Sequence, residues 1–203
     1  MRNWLILAIM SLFCLGSGAD PAGAKEAKFE LRKITVNLPE FPPTEAYTLE
    51  TDDYELTFIP PHESQLRFNQ ANQEVKFKFR DDRCLITLRH SEVSPALASQ
   101  AGWNKLREII QERHPDAEVS EGCACLNSCG AGGCSFTIRR RTGFGDLMLI
   151  TRLSFIPVEG GTVEVSMTAN GSKFATEEFV FRNFLNCLRI EKSNPPKAGL
   201  ANN

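Results

Sequence analysis

The sequence lacks the short motifs that mark most hydrolases, metalloproteases and disulfide oxidoreductases. It contains no G-x-S-x-G elbow, no S-x-x-K pair, no H-E-x-x-H helix and no C-x-x-C motif. The three histidines stand far apart in the chain, with no nucleophile beside them in a recognisable motif. The sequence therefore favours a protein without catalytic activity, because an enzyme would need a site assembled from scattered residues.

An excess of basic residues is also missing. Lys and Arg number 23 against 25 Asp and Glu, a net charge of −2, so no nucleic-acid partner is predicted. The run Arg139-Arg140-Arg141 lies on an expected strand, where alternation sends Arg139 and Arg141 to one face and Arg140 to the other. We therefore interpret this run as part of a solvated sheet face.

The one long apolar run, from Trp4 to Leu15, is too short to cross a bilayer. As a helix it would span about 18 Å, against roughly 30 Å for the hydrocarbon core. A single arginine precedes it and small residues follow, with cleavage expected after Ala19 or, preferably, after Ala24. Residues 1–24 are thus predicted to be a signal peptide. The mature protein would be periplasmic or secreted, without stable membrane insertion.

Alternating apolar and polar residues predict strands over much of the mature chain. In its first half they fall at residues 29–36, 54–58, 75–79 and 84–88. In its second half, residues 136–167 contain three alternating runs separated by two Gly-containing turns. This pattern predicts a three-stranded antiparallel meander.

Two stretches show the spacing of amphipathic helices. The first is predicted over residues 95–113, with Ser94 as its N-cap, and His114-Pro115 stops it. The helix C-terminus would favour an imidazolium at His114. The second helix is predicted with Thr176 as its cap and one apolar face that includes Phe181 and Leu188. Residues 188–190 favour a short final strand.

These elements predict a single α+β domain over residues 25–192. Its antiparallel sheet would include the meander, and the two amphipathic helices would pack on that sheet, because each element has one apolar face to bury. The remaining tail, residues 193–203, is polar and Pro-rich and is predicted to be disordered.

Four cysteines crowd a Gly-rich loop, residues 122–134: Cys123, Cys125, Cys129 and Cys134. Zinc sites generally use two separated C-x₂₋₄-C pairs, and this chain has no second pair. Export to an oxidising compartment favours structural disulfides in this loop. The alternative is a metal-binding or redox protein that uses the same thiols, but no metal or cofactor is predicted.

Cys84 and Cys187 complete the six cysteines of the mature chain. We predict that these two pair and tie the sheet to the last helix, because a bridge that closes a long loop stabilises most, by about 4–5 kcal/mol in the chain-entropy model. The loop cysteines would then pair as Cys123 with Cys134 and Cys125 with Cys129. Six cysteines allow about 15 connectivities, so this partition is a hypothesis.

The last quarter of the chain resembles the PsbP-like αβα sandwich, which includes bacterial DcrB-type periplasmic proteins, and the rest of the chain resembles it only in the order of its elements. The resemblance is carried by the strand of residues 147–157, the turn Glu159-Gly160-Gly161, the strand of residues 162–169 and the ending Phe181-x-x-Phe184-Leu185-x-x-Leu188-Arg189-Ile190. It implies a non-catalytic accessory or binding module for an unidentified protein or small-molecule ligand. It implies no functional residue, and the cysteine-rich loop departs from it.

Overall fold

A computed structural model describes residues 27–37, 42–79, 82–91, 99–126, 132–143 and 147–193. The predicted signal peptide, Cys129 and residues 194–203 of the predicted tail lie outside these ranges. In the described part of the chain the elements are, in order, β1 (Phe29–Val36), β2 (Thr44–Thr51), β3 (Tyr54–Phe58), β4 (Ser64–Asn69), β5 (Glu74–Phe79), β6 (Cys84–Ser91), α1 (Gln100–Arg113), β7 (Glu118–Val119), β8 (Cys123–Leu126), β9 (Gly132–Arg141), β10 (Met148–Val158), β11 (Gly161–Asn170), α2 (Phe174–Asn186) and β12 (Arg189–Lys192).

The strands predicted from alternation are confirmed as β1, β3, β5 and β6, and the meander is confirmed as β9, β10 and β11. The sequence missed β2 and β4. The last four residues of β2 are all buried, on both faces, so its side chains show no clear alternation of polarity. Strand β4 is mostly exposed and polar, which removes the apolar signal.

The first helix begins later than predicted. It starts at Gln100, where the Ser99 hydroxyl accepts a hydrogen bond from the Gly102 N–H at 3.2 Å. The predicted cap, Ser94, lies outside the described residues. The predicted stop is confirmed, because α1 ends at Arg113 with His114 as its C-cap.

The second helix begins at Phe174, two residues before the predicted cap Thr176. The chain turns at Asn170, whose carbonyl accepts a hydrogen bond from the Lys173 N–H at 2.9 Å, and α2 follows this turn without a side-chain cap. After α2, the predicted final strand is present as β12. Within the described residues, no helix is long and apolar enough to cross a membrane.

The strands form two antiparallel sheets where the sequence predicts one. Sheet A has the strand order β1-β2-β3-β12. Sheet B has the order β4-β5-β6-β11-β10-β9-β7, with β8 also paired to β9. The α+β class with two helices is therefore confirmed, but the sheet is divided in two.

Sheet B separates two hydrophobic cores. Its first face buries Phe77, Ile86 and Val165 beneath sheet A and α2, and we call this the α2 side. Its second face buries Phe136 and Leu153 beneath α1, and we call this the α1 side. Both cores are possible because successive side chains of a strand point to opposite faces.

Three phenylalanines join the layers on the α2 side. Phe58 of β3 lies edge-on to Phe77 of β5, with ring centroids 5.5 Å apart. Phe184 of α2 lies 5.0 Å from Phe77 and 6.2 Å from Phe58, at similarly steep ring angles. Edge-to-face pairs at these distances add to the free energy gained by burial. This cluster fixes sheet A and α2 to sheet B.

We expect Phe184→Ala to lower the free energy of unfolding by about 3–5 kcal/mol, because it leaves a cavity between three packed elements. Phe179→Ala on the same helix is the matched control, since Phe179 is 67% exposed, and it should change stability by less than about 0.5 kcal/mol. Urea unfolding followed by circular dichroism measures both. Equal losses in the two variants would contradict the central position of the cluster.

Candidate functional site

The sequence predicts a loop for the cysteine-rich segment, whereas the structure has a β-hairpin there. Strand β8 pairs with the start of β9, with Cys123 opposite Ser135 and Ala124 opposite Cys134. Residues that face each other in an antiparallel pair share one face of the sheet. Cys123 therefore lies on the α2 side with Ser135, whereas Cys134 is buried in the core on the α1 side.

This register works against the predicted bridge between Cys123 and Cys134. Their side chains leave the hairpin on opposite faces, and a disulfide requires the two Cβ atoms to come within about 4.5 Å. The partner predicted for Cys125, Cys129, lies outside the described residues, so that pairing stays a prediction.

Cys125 lies on the α2 side in a polar pocket. Its thiol interacts with the hydroxyls of Ser135 and Ser154, which are 2.7 Å apart. Gly133 makes room for it, since a Cβ at that position would lie 3.1 Å from the Cys125 Sγ. Burial raises the pKa of the Cys125 thiol. A cavity of about 330 Å³ separates this thiol from Asn186 at the end of α2.

The thiols of Cys84 and Cys187 are held near opposite ends of α2. Cys84 is buried in β6 and its Sγ donates to the Glu177 carboxylate, at 3.4 Å, near the start of the helix. Cys187 is the exposed C-cap of the same helix, about 15 Å farther along its axis. No disulfide joins Cys84, Cys123, Cys125, Cys134 and Cys187 to one another in this structure.

The alternative prediction, a metal or redox centre in the cysteine segment, depends on several thiols converging. Among the described residues, no group of three or more His, Cys, Asp or Glu side chains is placed to hold a metal ion. Cys129 is not part of that set, so the alternative stays a prediction.

The α1 side of sheet B changes character from one edge to the other. One row of facing residues crosses five strands, from β4 to β10: Arg67, Lys76, Thr87, Ser166 and Leu153. The apolar end of this row lies beneath α1 and belongs to its core. Towards β4 the row is polar and cationic: Thr87 is buried, Lys76 is partly exposed and Arg67 is exposed to solvent. An antiparallel sheet can leave one face open to water in this way.

Six cationic side chains collect on this open part of the sheet and at its border with α1. We call this surface the basic face, and it consists of Arg67, Lys76, Lys78, Arg89, Arg113 and Arg140. Three carboxylates accompany them: Glu74, Asp82 and Glu164. The exposed side chain of Leu85 and a shallow depression of about 590 Å³ lie in its centre. A chain of net charge −2 thus concentrates positive charge on one surface.

At the α1 border of the basic face lies a smaller and more enclosed cavity of about 240 Å³, which we call the α1 cleft. Glu164 forms part of its wall and is only 3% exposed. Arg89 donates to Glu164 Oε1 from Nε at 2.8 Å and from Nη2 at 2.7 Å. Arg113 approaches Oε2 at 3.5 Å. A buried carboxylate is tolerated here because two guanidinium groups compensate for lost hydration.

His114 also lines the α1 cleft, where its surroundings overturn the expectation of a favoured imidazolium. Burial lowers the pKa of His114, and the positive charges of Arg140, Arg113 and Arg89 lower it further, whereas the Glu164 carboxylate acts in the opposite direction. The imidazole is therefore mainly neutral at neutral pH.

The sequence predicted one feature of this site and missed the rest. Arg140 does point away from Arg139 and Arg141: it lines the α1 cleft, whereas Arg139 pairs with Glu118 at 3.6 Å. No sequence motif connects Arg140 with Arg89 or Glu164, which come from β6 and β11. Alternation of charged residues in these strands was the available signal. It identifies a solvent-exposed face but does not show which residues of the neighbouring strands share that face.

Several solved structures are similar to this chain. Cyanobacterial PsbP (CyanoP) from Synechocystis sp. PCC 6803 shares 14% identity with a TM-score of 0.49, over 87% of this chain and 99% of that chain. The Ran-binding protein Mog1p of Saccharomyces cerevisiae shares 8%, with a TM-score of 0.47, over 79% and 96% of the two chains. LpqN of Mycobacterium tuberculosis, involved in cell envelope biogenesis, shares 11%, with a TM-score of 0.46, over 79% and 91%.

At these identities and TM-scores, the likenesses say nothing about function. No protein-family model matches the chain, and no curated protein is significantly similar to it in sequence. What the site can bind has to be inferred from its own side chains.

We expect iodoacetamide to label the exposed Cys123 and Cys187 before Cys134 in the reduced, folded protein. Cys187 is exposed, whereas Cys134 is fully buried and burial raises its pKa to about 12. About one Cys134 thiol in 10⁴ is then ionised near pH 8. Mass mapping after a short labelling pulse measures the order, and urea-unfolded protein is the control. Fast labelling of Cys134 in the folded protein would contradict its placement.

Proposed function

We propose that the protein is an exported binding module without catalytic activity, and that it binds an acidic segment of a protein partner on the basic face. The observation that carries this proposal is the direct opposition of Arg67 and Lys76 on neighbouring strands. Like charges that face each other across a ladder destabilise a sheet. An anionic partner would remove this repulsion, so that its binding would also stabilise the sheet.

The charges around this pair support the same partner. Lys76 reaches Glu74 at 2.6 Å and Lys78 reaches Asp82 at 3.0 Å, so two of the lysines are partly neutralised. Arg67 forms no ion pair within the described residues. Surface pairs contribute little to stability, but a surface of one sign steers an oppositely charged partner and sets its orientation.

An acidic polypeptide fits this surface better than a nucleic acid does. Proteins that bind single strands combine basic grooves with aromatic platforms for base stacking, and the described residues of the basic face include no aromatic side chain. The exposed Leu85 offers an apolar contact of the kind that a peptide side chain can use.

We also propose that export brings the cysteines into an oxidising compartment, where some of them form disulfides. The hairpin register favours bridges on the α2 side of sheet B. Cys123 and Cys125 lie on that side, and Cys187 follows Asn186, which faces Cys125 across a cavity. A bridge from Cys84 to Cys187 would have to span most of the length of α2, so the arrangement favours it less.

We expect the double variant Arg67→Glu/Lys76→Glu to bind a fluorescein-labelled hexaglutamate peptide at least about tenfold more weakly, because each reversal turns an attraction into a repulsion. Wild-type affinity should fall as sodium chloride is added. Fluorescence anisotropy measures both. Lys33→Glu/Lys173→Glu is the matched control, with the same change in net charge outside the basic face. Equal weakening in both double variants, or tighter binding of an oligonucleotide than of the peptide, would contradict the proposal.

We expect the protein isolated from its own host to lack residues 1–24 and to begin at Lys25, or at Asp20 if cleavage follows Ala19. Three disulfides would lower its mass by about 6 Da more. Intact mass spectrometry before and after reduction measures both quantities. A full-length chain would contradict export, and six titratable thiols in the mature chain would contradict disulfide formation.

A further inference from the structure

The α1 cleft differs from the rest of the basic face in its enclosure and in its fixed charges. Arg89 and Arg113 hold the two oxygens of Glu164, which keeps all three groups in place. Arg140 reaches the cleft from β9, opposite α1, and forms no ion pair within the described residues. Three guanidinium groups thus meet one carboxylate. The cleft therefore carries more positive charge than its one carboxylate compensates.

The size of the cleft suits a small group. Its volume of about 240 Å³ equals that of roughly eight water molecules at about 30 Å³ each, and it is smaller than the pockets of about 300–1,000 Å³ that hold drug-sized ligands. A carboxylate on a chain of three to five carbon atoms is of this order of size.

The lining of the cleft favours an organic anion over a fully hydrated inorganic one. Ile110, Ile138 and Leu153 form an apolar floor that is continuous with the buried core under α1. The hydroxyls of Thr151 and Thr168 are bonded to each other at 2.8 Å. A hydrocarbon chain can cover the apolar floor while its head group meets Arg140. Inorganic phosphate would leave that floor without a contact.

We propose that the α1 cleft binds a carboxylate group on a short hydrocarbon chain, held between Arg140 and Arg113. Guanidinium groups match planar carboxylates with two parallel hydrogen bonds, which gives both strength and orientation. The carboxylate is a free small acid or an acidic side chain of the partner. This inference rests on the proposed binding function, but a small molecule alone is enough to test it.

Binding should be coupled to a proton at His114. The charged groups that face this imidazole are Arg113 on α1, Arg140 on β9, Arg89 on β6 and Glu164 on β11. A second carboxylate in the cleft offsets the arginines and favours the imidazolium, so it raises the pKa of His114. By linkage, affinity increases as the pH falls from about 7 to about 5.5, a range in which an aliphatic carboxylate stays ionised.

The test is a titration of the purified protein with sodium butyrate, followed by NMR at the imidazole resonances of His114. We expect a saturable shift, an upward change in the pKa of His114, and tighter binding near pH 5.5 than near pH 7. Inorganic phosphate at equal ionic strength should bind more weakly. No saturable shift in the wild-type protein would overturn the proposal, and tighter binding of phosphate would overturn the choice of a carboxylate.

Arg140→Gln should weaken butyrate binding roughly tenfold or more, and Arg140→Lys should restore part of it. Arg139→Gln is the matched control, because Arg139 lies next in the chain but on the α2 side, and it should change affinity by less than about twofold. Both arginines are exposed, and the NMR spectrum itself reports whether each variant is folded. Equal weakening by the two glutamine variants would overturn the site.

Failure of this proposal can be distinguished from failure of the proposed function. Butyrate binding without hexaglutamate binding would support the cleft and contradict the acidic protein partner. Binding of hexaglutamate that is lost in Arg67→Glu/Lys76→Glu but unchanged in Arg140→Gln, with no butyrate binding, would overturn the cleft alone.

Discussion

The structure depends on the two-sided alternation of sheet B. On β5, β6 and β11, one side of the sheet is almost entirely apolar, because it packs beneath both sheet A and α2, with the Phe58, Phe77 and Phe184 cluster at the centre. Once that side faces the core, the register of the strands determines which residues lie on the other side. The same strands that bury Phe77 must therefore place Lys76 and Lys78 towards water.

The position of α1 follows from this other side. Among the described residues, the buried apolar side chains on this side come from β9 and β10, together with short β7, so the helix packs over Phe136 and Leu153 and leaves β4, β5 and β6 open. The α1 cleft forms where the helix stops, at His114-Pro115, because the sheet continues beyond the helix end. The boundary between an apolar and a polar half of one sheet face thus creates an enclosed and charged site without any dedicated loop.

Local patterns in the sequence predicted the elements in which apolar and polar residues alternate. Alternation identified β5 and the meander in this way, although parts of the meander strands are buried on both sides. It missed β2, whose end is buried on both sides, and β4, which is polar throughout. The placement of Arg140 was predictable from alternation alone. Its neighbours Arg89 and Glu164 were not, because strand order in the sheet, which no local pattern specifies, brings them together.

The arrangement of charges in the α1 cleft suits holding an anion better than moving a proton during catalysis. Arg89 donates to Glu164 Oε1 and the Arg113 guanidinium lies 3.5 Å from Oε2, so both cations stabilise the ionised carboxylate. His114 faces arginines and has no carboxylate partner aligned with it as in a catalytic dyad. In the proposed complex, these cations would stabilise the charge of the ligand, and the apolar floor would contact its hydrocarbon chain.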